Sequence, residues 1–227
     1  MVLFWLVMAL VAGVARAQPV SPNQMAEPGK PAQVAQMAQV AQLAQVDKPF
    51  PPLGSRDHEY GSLRNVTLDL EDFKVTTSDG RKTTVGELLR DRKIVLLHFF
   101  ATFCHNSNFD VVTINELYRQ YGEAGFQVVG ISEYSTRDEL QKFMTRHKTV
   151  YPMVMESETG RTKTRHYRYR TRSGDERKWG TPFSMVIDGR EIDPSGAPLA
   201  RRMHVASGEL VRAEIESLIR RRLAATP

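Results

Sequence analysis

One stretch limits what this chain can become: Ile94-Val95-Leu96-Leu97-His98-Phe99-Phe100-Ala101-Thr102-Phe103-Cys104-His105-Asn106-Ser107. It begins as an apolar run of strand length and ends in two aromatics. A short turn leads to Cys104, the only cysteine in the chain. Ile114, Leu117, Tyr118 and Tyr121 follow at i, i+3, i+4 and i+7, the spacing of one helix face. The pattern places Cys104 where a buried strand hands over to the first turn of a helix. Free N–H groups and the helix dipole favour negative charge there, and so favour the thiolate, the nucleophilic form of cysteine. Ser107 and His105 are the nearby donors expected to hydrogen-bond the sulfur. The competing reading is a small buried hydrophobe. The polar residues His105, Asn106 and Ser107 weigh against it.

The N-terminus bears on where such a thiol works. Residues 2–15 are uninterrupted apolar or small residues, too few to span a bilayer comfortably. Ala15-Arg16-Ala17 follows with the small-x-small pattern of a secretory cleavage site. Residues 1–17 therefore read as a signal peptide, and the mature chain as periplasmic or secreted. No Lys or Arg precedes the apolar run, so an uncleaved anchor is the competing reading. No other segment is apolar enough to cross a membrane. Export places the chain where disulfides persist, yet one cysteine allows no intramolecular disulfide.

Residues 18–61 read as a linker. An Ala-Gln-apolar triplet repeats five times over 32–46. Each step of three advances a helix by about 300°, so no fixed apolar stripe forms. Flanking prolines add to the reading of a disordered spacer.

From residue 62 the pattern turns globular. Val66, Leu68 and Leu70 alternate as in a strand, as do Phe73 and Val75. Asp79-Gly80 signals a hairpin turn. Thr84…Glu87 and Thr136…Glu139 have capping-box spacing and predict helix starts. Phe126–Ile131 reads as a buried strand, and Tyr151–Met155 as a strand opened by Pro152. Leu140, Phe143, Met144 and His147 share a helix face, with His147 in a packing or capping role. Gly180-Thr181-Pro182 precedes a strand, Phe183–Ile187, and a hairpin leads to a last strand through Met203–Val205. A closing helix is predicted from about Gly208 to Leu223.

Residues 161–178 are compositionally odd. Eight cations stand against two carboxylates, giving this segment +6 within a chain of net +5. Tyr167 and Tyr169 interleave with the arginines. We read the segment as a solvated charged loop. It could attract acidic partners but not bind nucleic acid specifically.

This order of elements, with these residues, resembles the thioredoxin-like superfamily, and most nearly its exported thiol–disulfide oxidoreductases of the TlpA type. Those carry a strand ending Phe-Trp-Ala-Thr-Trp before Cys-x-x-Cys, where this chain has Phe99-Phe100-Ala101-Thr102-Phe103-Cys104-His105-Asn106-Ser107. The family's carboxylate six residues after the first Cys falls on Asp110. Its Gly-x-Pro before a strand falls on Gly180-Thr181-Pro182. The resemblance covers about residues 62–224. It implies an α/β, three-layer fold with a mixed central sheet and helices on both faces, over residues 62–227. It also implies a cis Thr181–Pro182 bond facing Cys104, a buried Asp110 beneath the thiol serving as a proton shuttle, and substrate contacts at Thr181, Pro182 and Phe103.

The chain departs from the family where chemistry is done. Ser107 replaces the second Cys, and both tryptophans of the motif are phenylalanines. A peroxiredoxin would have Thr where Ala101 stands. Monothiol glutaredoxins share Cys-x-x-Ser but lack the Phe-x-Ala-Thr approach. His98, Cys104 and His105 match no familiar metal-ligand spacing, and no resident cofactor is expected. Two functions stay open. One is a monothiol oxidoreductase whose Cys104 forms mixed disulfides with protein or low-molecular-weight thiols, with glutathione as a candidate external thiol. The other is a redox-inactive binding module that kept the fold.

Overall fold

The computed structural model describes residues 58–158 and 164–225, all within one unit spanning Gly54–Pro227. The expected signal peptide, the linker up to residue 57, and Arg161 and Lys163 of the basic segment lie outside the described residues. In chain order the elements are β1 (Tyr60–Gly61), β2 (Arg64–Leu70), β3 (Lys74–Thr77), β4 (Lys82–Thr84), α1 (Val85–Leu89), β5 (Ile94–Phe100), α2 (His105–Tyr121), β6 (Phe126–Ser132) and α3 (Arg137–His147). Then follow β7 (Met153–Met155), α4 (Arg165–Arg172), β8 (Phe183–Asp188), β9 (Ala200–Ser207), β10 (Glu209–Leu210) and α5 (Arg212–Ala224).

The apolar run at 94–100 becomes β5, buried along its whole length. Side chains alternate across a strand, and this alternation divides the core. Val95, Leu97 and Phe99 enter one apolar cluster, with Val85 and Leu89 of α1 and Tyr169 of α4. Ile94, Leu96 and Phe100 enter the other, with α2 (Val111, Ile114, Leu117), α3 (Leu140, Phe143) and α5 (Ile215, Leu218, Ile219). Helices cover both faces of an eight-stranded sheet of order β2-β9-β8-β5-β6-β7-β3-β4. The pairs β5–β6 and β6–β7 are parallel, while β8, β9, β2, β3 and β4 join antiparallel. This is the expected three-layer α/β arrangement.

Local signals translate directly. The Thr84 and Thr136 hydroxyls accept from the N–H groups of Glu87 and Glu139, and both glutamates return bonds to the cap backbone. The turn after Asp79 joins β3 to β4, with Gly80 at φ +90°.

Three expectations change. The closing helix does not begin at Gly208. Gly208 has φ +121°, a Cβ there would collide with the Glu59 carbonyl, and Glu209 N donates to Glu59 O at 2.7 Å. Glu209–Leu210 pairs parallel with Tyr60–Gly61, so those backbone groups serve a strand and the helix starts four residues later. For the same reason residues 58–61, assigned to the linker, belong to the folded part. The basic loop is also corrected: residues 165–172 form a helix.

Candidate active site

Cys104 is the N-cap of α2 and partly buried. Its turn is tied down by Asn108, whose amide donates to Thr102 O at 3.0 Å and Cys104 O at 2.7 Å. Asn108 Oδ1 accepts in turn from His147 Nε2 at 2.8 Å. His147 also packs on Phe143, so the packing role expected for it includes a link to the cysteine turn.

Thr181–Pro182 is cis, as is Ala197–Pro198. The Cys104 thiol donates to Thr181 O at 3.5 Å. The structure thus brings together Cys104, Thr181 and Pro182 across 77 residues of chain. Ser107 and His105 do not supply the bonds expected of them. Ser107 is fully buried, and its Oγ accepts from Ala101 N at 3.4 Å. The His105 ring faces His58, with ring centroids 5.5 Å apart.

Asp110 is buried. Its Oδ1 accepts from Leu210 N at 2.9 Å, and its Oδ2 has no protein partner. Burial raises this carboxyl well above its ordinary range; the Leu210 N–H opposes the rise and the nearby Glu209 adds to it. Glu209 is itself buried and paired with His58 Nδ1 at 2.9 Å.

An exposed aromatic wall stands beside the thiol. Phe103 is 62% exposed and Trp179 53%, their rings edge to face with centroids 6.4 Å apart. The Tyr134 ring meets Trp179 edge-on at 5.5 Å, and its hydroxyl donates to Trp179 O at 3.2 Å. Tyr134 sits at φ +58°, a conformation that costs a non-glycine residue about 1–2 kcal/mol. Sequence reasoning missed Trp179 and Tyr134. The Trp-Gly-x-Pro order at 179–182 was the available signal for the first.

The basic helix α4 lies behind this wall. Arg165 pairs with Glu71 and Glu156, Arg168 with Glu71, and Arg177, in the turn that follows, with Asp175 and Glu59. Arg170 is buried, its guanidinium donating to the backbone oxygens of Asp175 and Arg177. Four of the eight cations therefore have carboxylate or backbone partners, but only Arg170 is buried, and Arg168 pairs with Glu71 on the exposed surface. His166 is buried too, and its Nε2 lies 3.0 Å from Gly180 O. A carbonyl only accepts, so Nε2 carries the proton. Burial lowers this imidazole to about 4. Its Nδ1 lies 4.0 Å from Glu133 Oε2, a buried carboxyl that burial pushes up to about 8, against the Thr164 hydroxyl and with help from Glu156.

Among the described residues, no group of three or more His, Cys, Asp or Glu side chains could hold a metal ion. No described helix is long and apolar enough to cross a membrane.

The AhpC/TSA family model matches residues 66–192, more than half of the chain. The thiol-disulfide oxidoreductase ResA of Bacillus cereus is 26% identical over 94 residues, 41% of this chain and 53% of that protein. The chain spans about half the length of the curated relatives it matches. Among solved structures, a thiol:disulfide interchange protein of the thioredoxin family from Chlorobium tepidum TLS aligns with TM-score 0.50 and 21% identity, covering 70% of this chain and 97% of its own. Peroxidoxin BcpB from Mycobacterium tuberculosis aligns with TM-score 0.51 and 15% identity, covering 72% and 99%. These likenesses, with the strand order and the cysteine at the start of α2, agree on one fold: the chain belongs to the AhpC/TSA family and has a thioredoxin-like architecture.

Proposed function

We propose that this chain is an extracytoplasmic monothiol oxidoreductase whose Cys104 forms mixed disulfides with protein or low-molecular-weight thiols. One observation carries the reading: a partly buried thiol caps α2 and lies 3.5 Å from the carbonyl that precedes cis-Pro182. The names of its relatives support the same class of chemistry.

In the proposed reaction the Cys104 thiolate attacks one sulfur of a partner disulfide. That S–S bond breaks, a Cys104–partner S–S bond forms, and the other sulfur leaves as a thiolate that takes up a proton. Asp110, whose carboxyl burial raises well above its ordinary range, is the proposed proton reservoir for these transfers. Ser107 cannot attack the mixed disulfide, so release requires an external thiol of the glutathione class or a second protein thiol. That thiol attacks the partner's sulfur and returns Cys104 to the reduced state. The extracytoplasmic location rests on the N-terminal sequence pattern.

A second reading, a binding module without redox turnover, has one observation in its favour: Ser107 stands where a resolving thiol would be. Mass spectrometry after incubation with a disulfide separates the two. We expect one covalent adduct per chain, absent in Cys104→Ser and discharged only when an external thiol is added. Ser107→Cys should shorten the adduct's life by supplying an internal resolving thiol. A wild-type Cys104 that forms no adduct would leave the binding module in its place.

A further inference from the structure

The basic segment does something other than carry charge. The inward face of α4 and the residue beyond it, His166, Tyr169, Arg170 and Ser173, is buried at helical spacing. Three of those side chains are polar, and their polar groups go largely to backbone. Arg170 donates to the carbonyls of Asp175 (3.0 Å), Arg177 (2.6 Å) and Lys178 (3.4 Å). His166 donates to Gly180 O at 3.0 Å. Arg177, held by Asp175, donates to Pro182 O at 2.9 Å. Tyr134 holds Trp179 O. Along residues 177–182 the side chains of Tyr134, His166, Arg170 and Arg177 thus hold every carbonyl but one. The exception is Thr181 O, and it faces the Cys104 sulfur. The fit is close: Gly180 has φ +69°, and a Cβ there would collide with the Arg170 side chain. His166 is fixed in turn by the rings of Phe99 and Phe183, 5.4 and 6.0 Å away.

We propose that α4 and the turn after it brace residues 177–182, and that His166 is a positioning residue that keeps the backbone at Thr181 aimed at the thiol so that an extended polypeptide disulfide can be aligned there. The proposal rests on the oxidoreductase reading above. A brace of this kind matters to a substrate with a backbone to align. A small aromatic disulfide needs only the sulfur. His166 and Arg177 therefore govern the ratio between the two rates, not the intrinsic reactivity of Cys104.

The test uses the full chain and two probes, 2,2′-dithiodipyridine and a linear peptide carrying an activated cysteine disulfide. Second-order rate constants for adduct formation are measured for wild type, His166→Phe, His166→Gln and Arg177→Gln. His166→Phe keeps the ring and loses the donor. It should slow the peptide reaction about tenfold, the factor that corresponds to roughly one hydrogen bond, and leave the dithiodipyridine rate within about twofold. His166→Gln, which restores a donor, should recover most of the peptide rate. Arg177→Gln, on a partly exposed side chain, should show the same selective loss and serves if His166→Phe does not fold. Equal slowing with both probes, or no change of ratio in the folded variants, would overturn the proposal. A wild type inert to both probes would remove the oxidoreductase reading itself, and this inference with it.

Discussion

Glu133 and His166 sit side by side, and burial moves them in opposite directions. Glu133 ionises near 4.5 in an unfolded chain and near 8 in the fold. Between those values the folded chain keeps a proton that the unfolded chain has released. Its stabilising contribution is therefore full below 4.5 and lost as pH rises through 8. His166 and His98 run the other way. They take up protons near 6.5 when unfolded and only near 4 and 3 in the fold, so stability falls as pH drops below 6.5. Glu133→Gln mimics the protonated acid: its amide oxygen still accepts from Thr164, and its NH2 can donate toward His166 Nδ1. The variant should match wild type near pH 4 and exceed it increasingly up to pH 8. Each tenfold change in a carboxyl's ionisation constant is worth about 1.4 kcal/mol. A gain of roughly 5 °C or more in melting temperature at pH 8 is therefore expected. Melting curves at several pH values check this, and a pH-independent difference would show that Glu133 is not held neutral.

At the scale of elements, the parts with a local cause were legible. The two capping boxes, the hairpin turn and the strand-to-helix passage at Cys104 each follow from a few adjacent residues. The helix α4 did not show, although its spacing was present in the sequence. His166, Tyr169, Arg170 and Ser173 fall at i, i+3, i+4 and i+7, but a search for apolar periodicity passes over three polar residues. His166 and Arg170 are buried because the carbonyls of Asp175, Arg177, Lys178 and Gly180 accept from them, and those partners are not adjacent in sequence. The burial expected of Asp110 was legible, but its bond from Leu210 N, 100 residues away, was not, and neither was the bond from Ala101 N that Ser107 accepts. The contact of α4 with the site strand gives a direct test. Gly180→Ala puts a Cβ against Arg170 at a backbone conformation that favours glycine. We expect a loss of about 2 kcal/mol or more in urea unfolding. Arg170→Ala in the same background should then cost less than it does alone, since the collision is gone. Strict additivity of the two would contradict this packing.

Across the whole molecule, the alternation along β5 settles the architecture, since one strand feeds both apolar clusters and so requires helices on both faces. What the alternation does not reveal is where the fold begins. The triplet repeat over 32–46 has no apolar stripe, and nothing in it calls for a place in a core. Among the described residues, contacts of the N-terminal segment begin at His58. Its imidazole pairs with the fully buried Glu209, Glu59 O receives the Glu209 N–H and Glu59 pairs with Arg177, and Tyr60–Gly61 completes the strand pair with β10. Two deletions separate these contributions. Removal of residues 1–57 should leave the melting temperature within about 2 °C, because every contact just named survives. Removal of residues 1–61 strips Glu209 of its partner, and an unpaired buried charge costs about 3–5 kcal/mol. For a domain of this size that is a drop of roughly 6 °C or more. Equal melting temperatures for the two deletions would return residues 58–61 to the linker, and a large drop from the shorter one would bring the repeat into the fold.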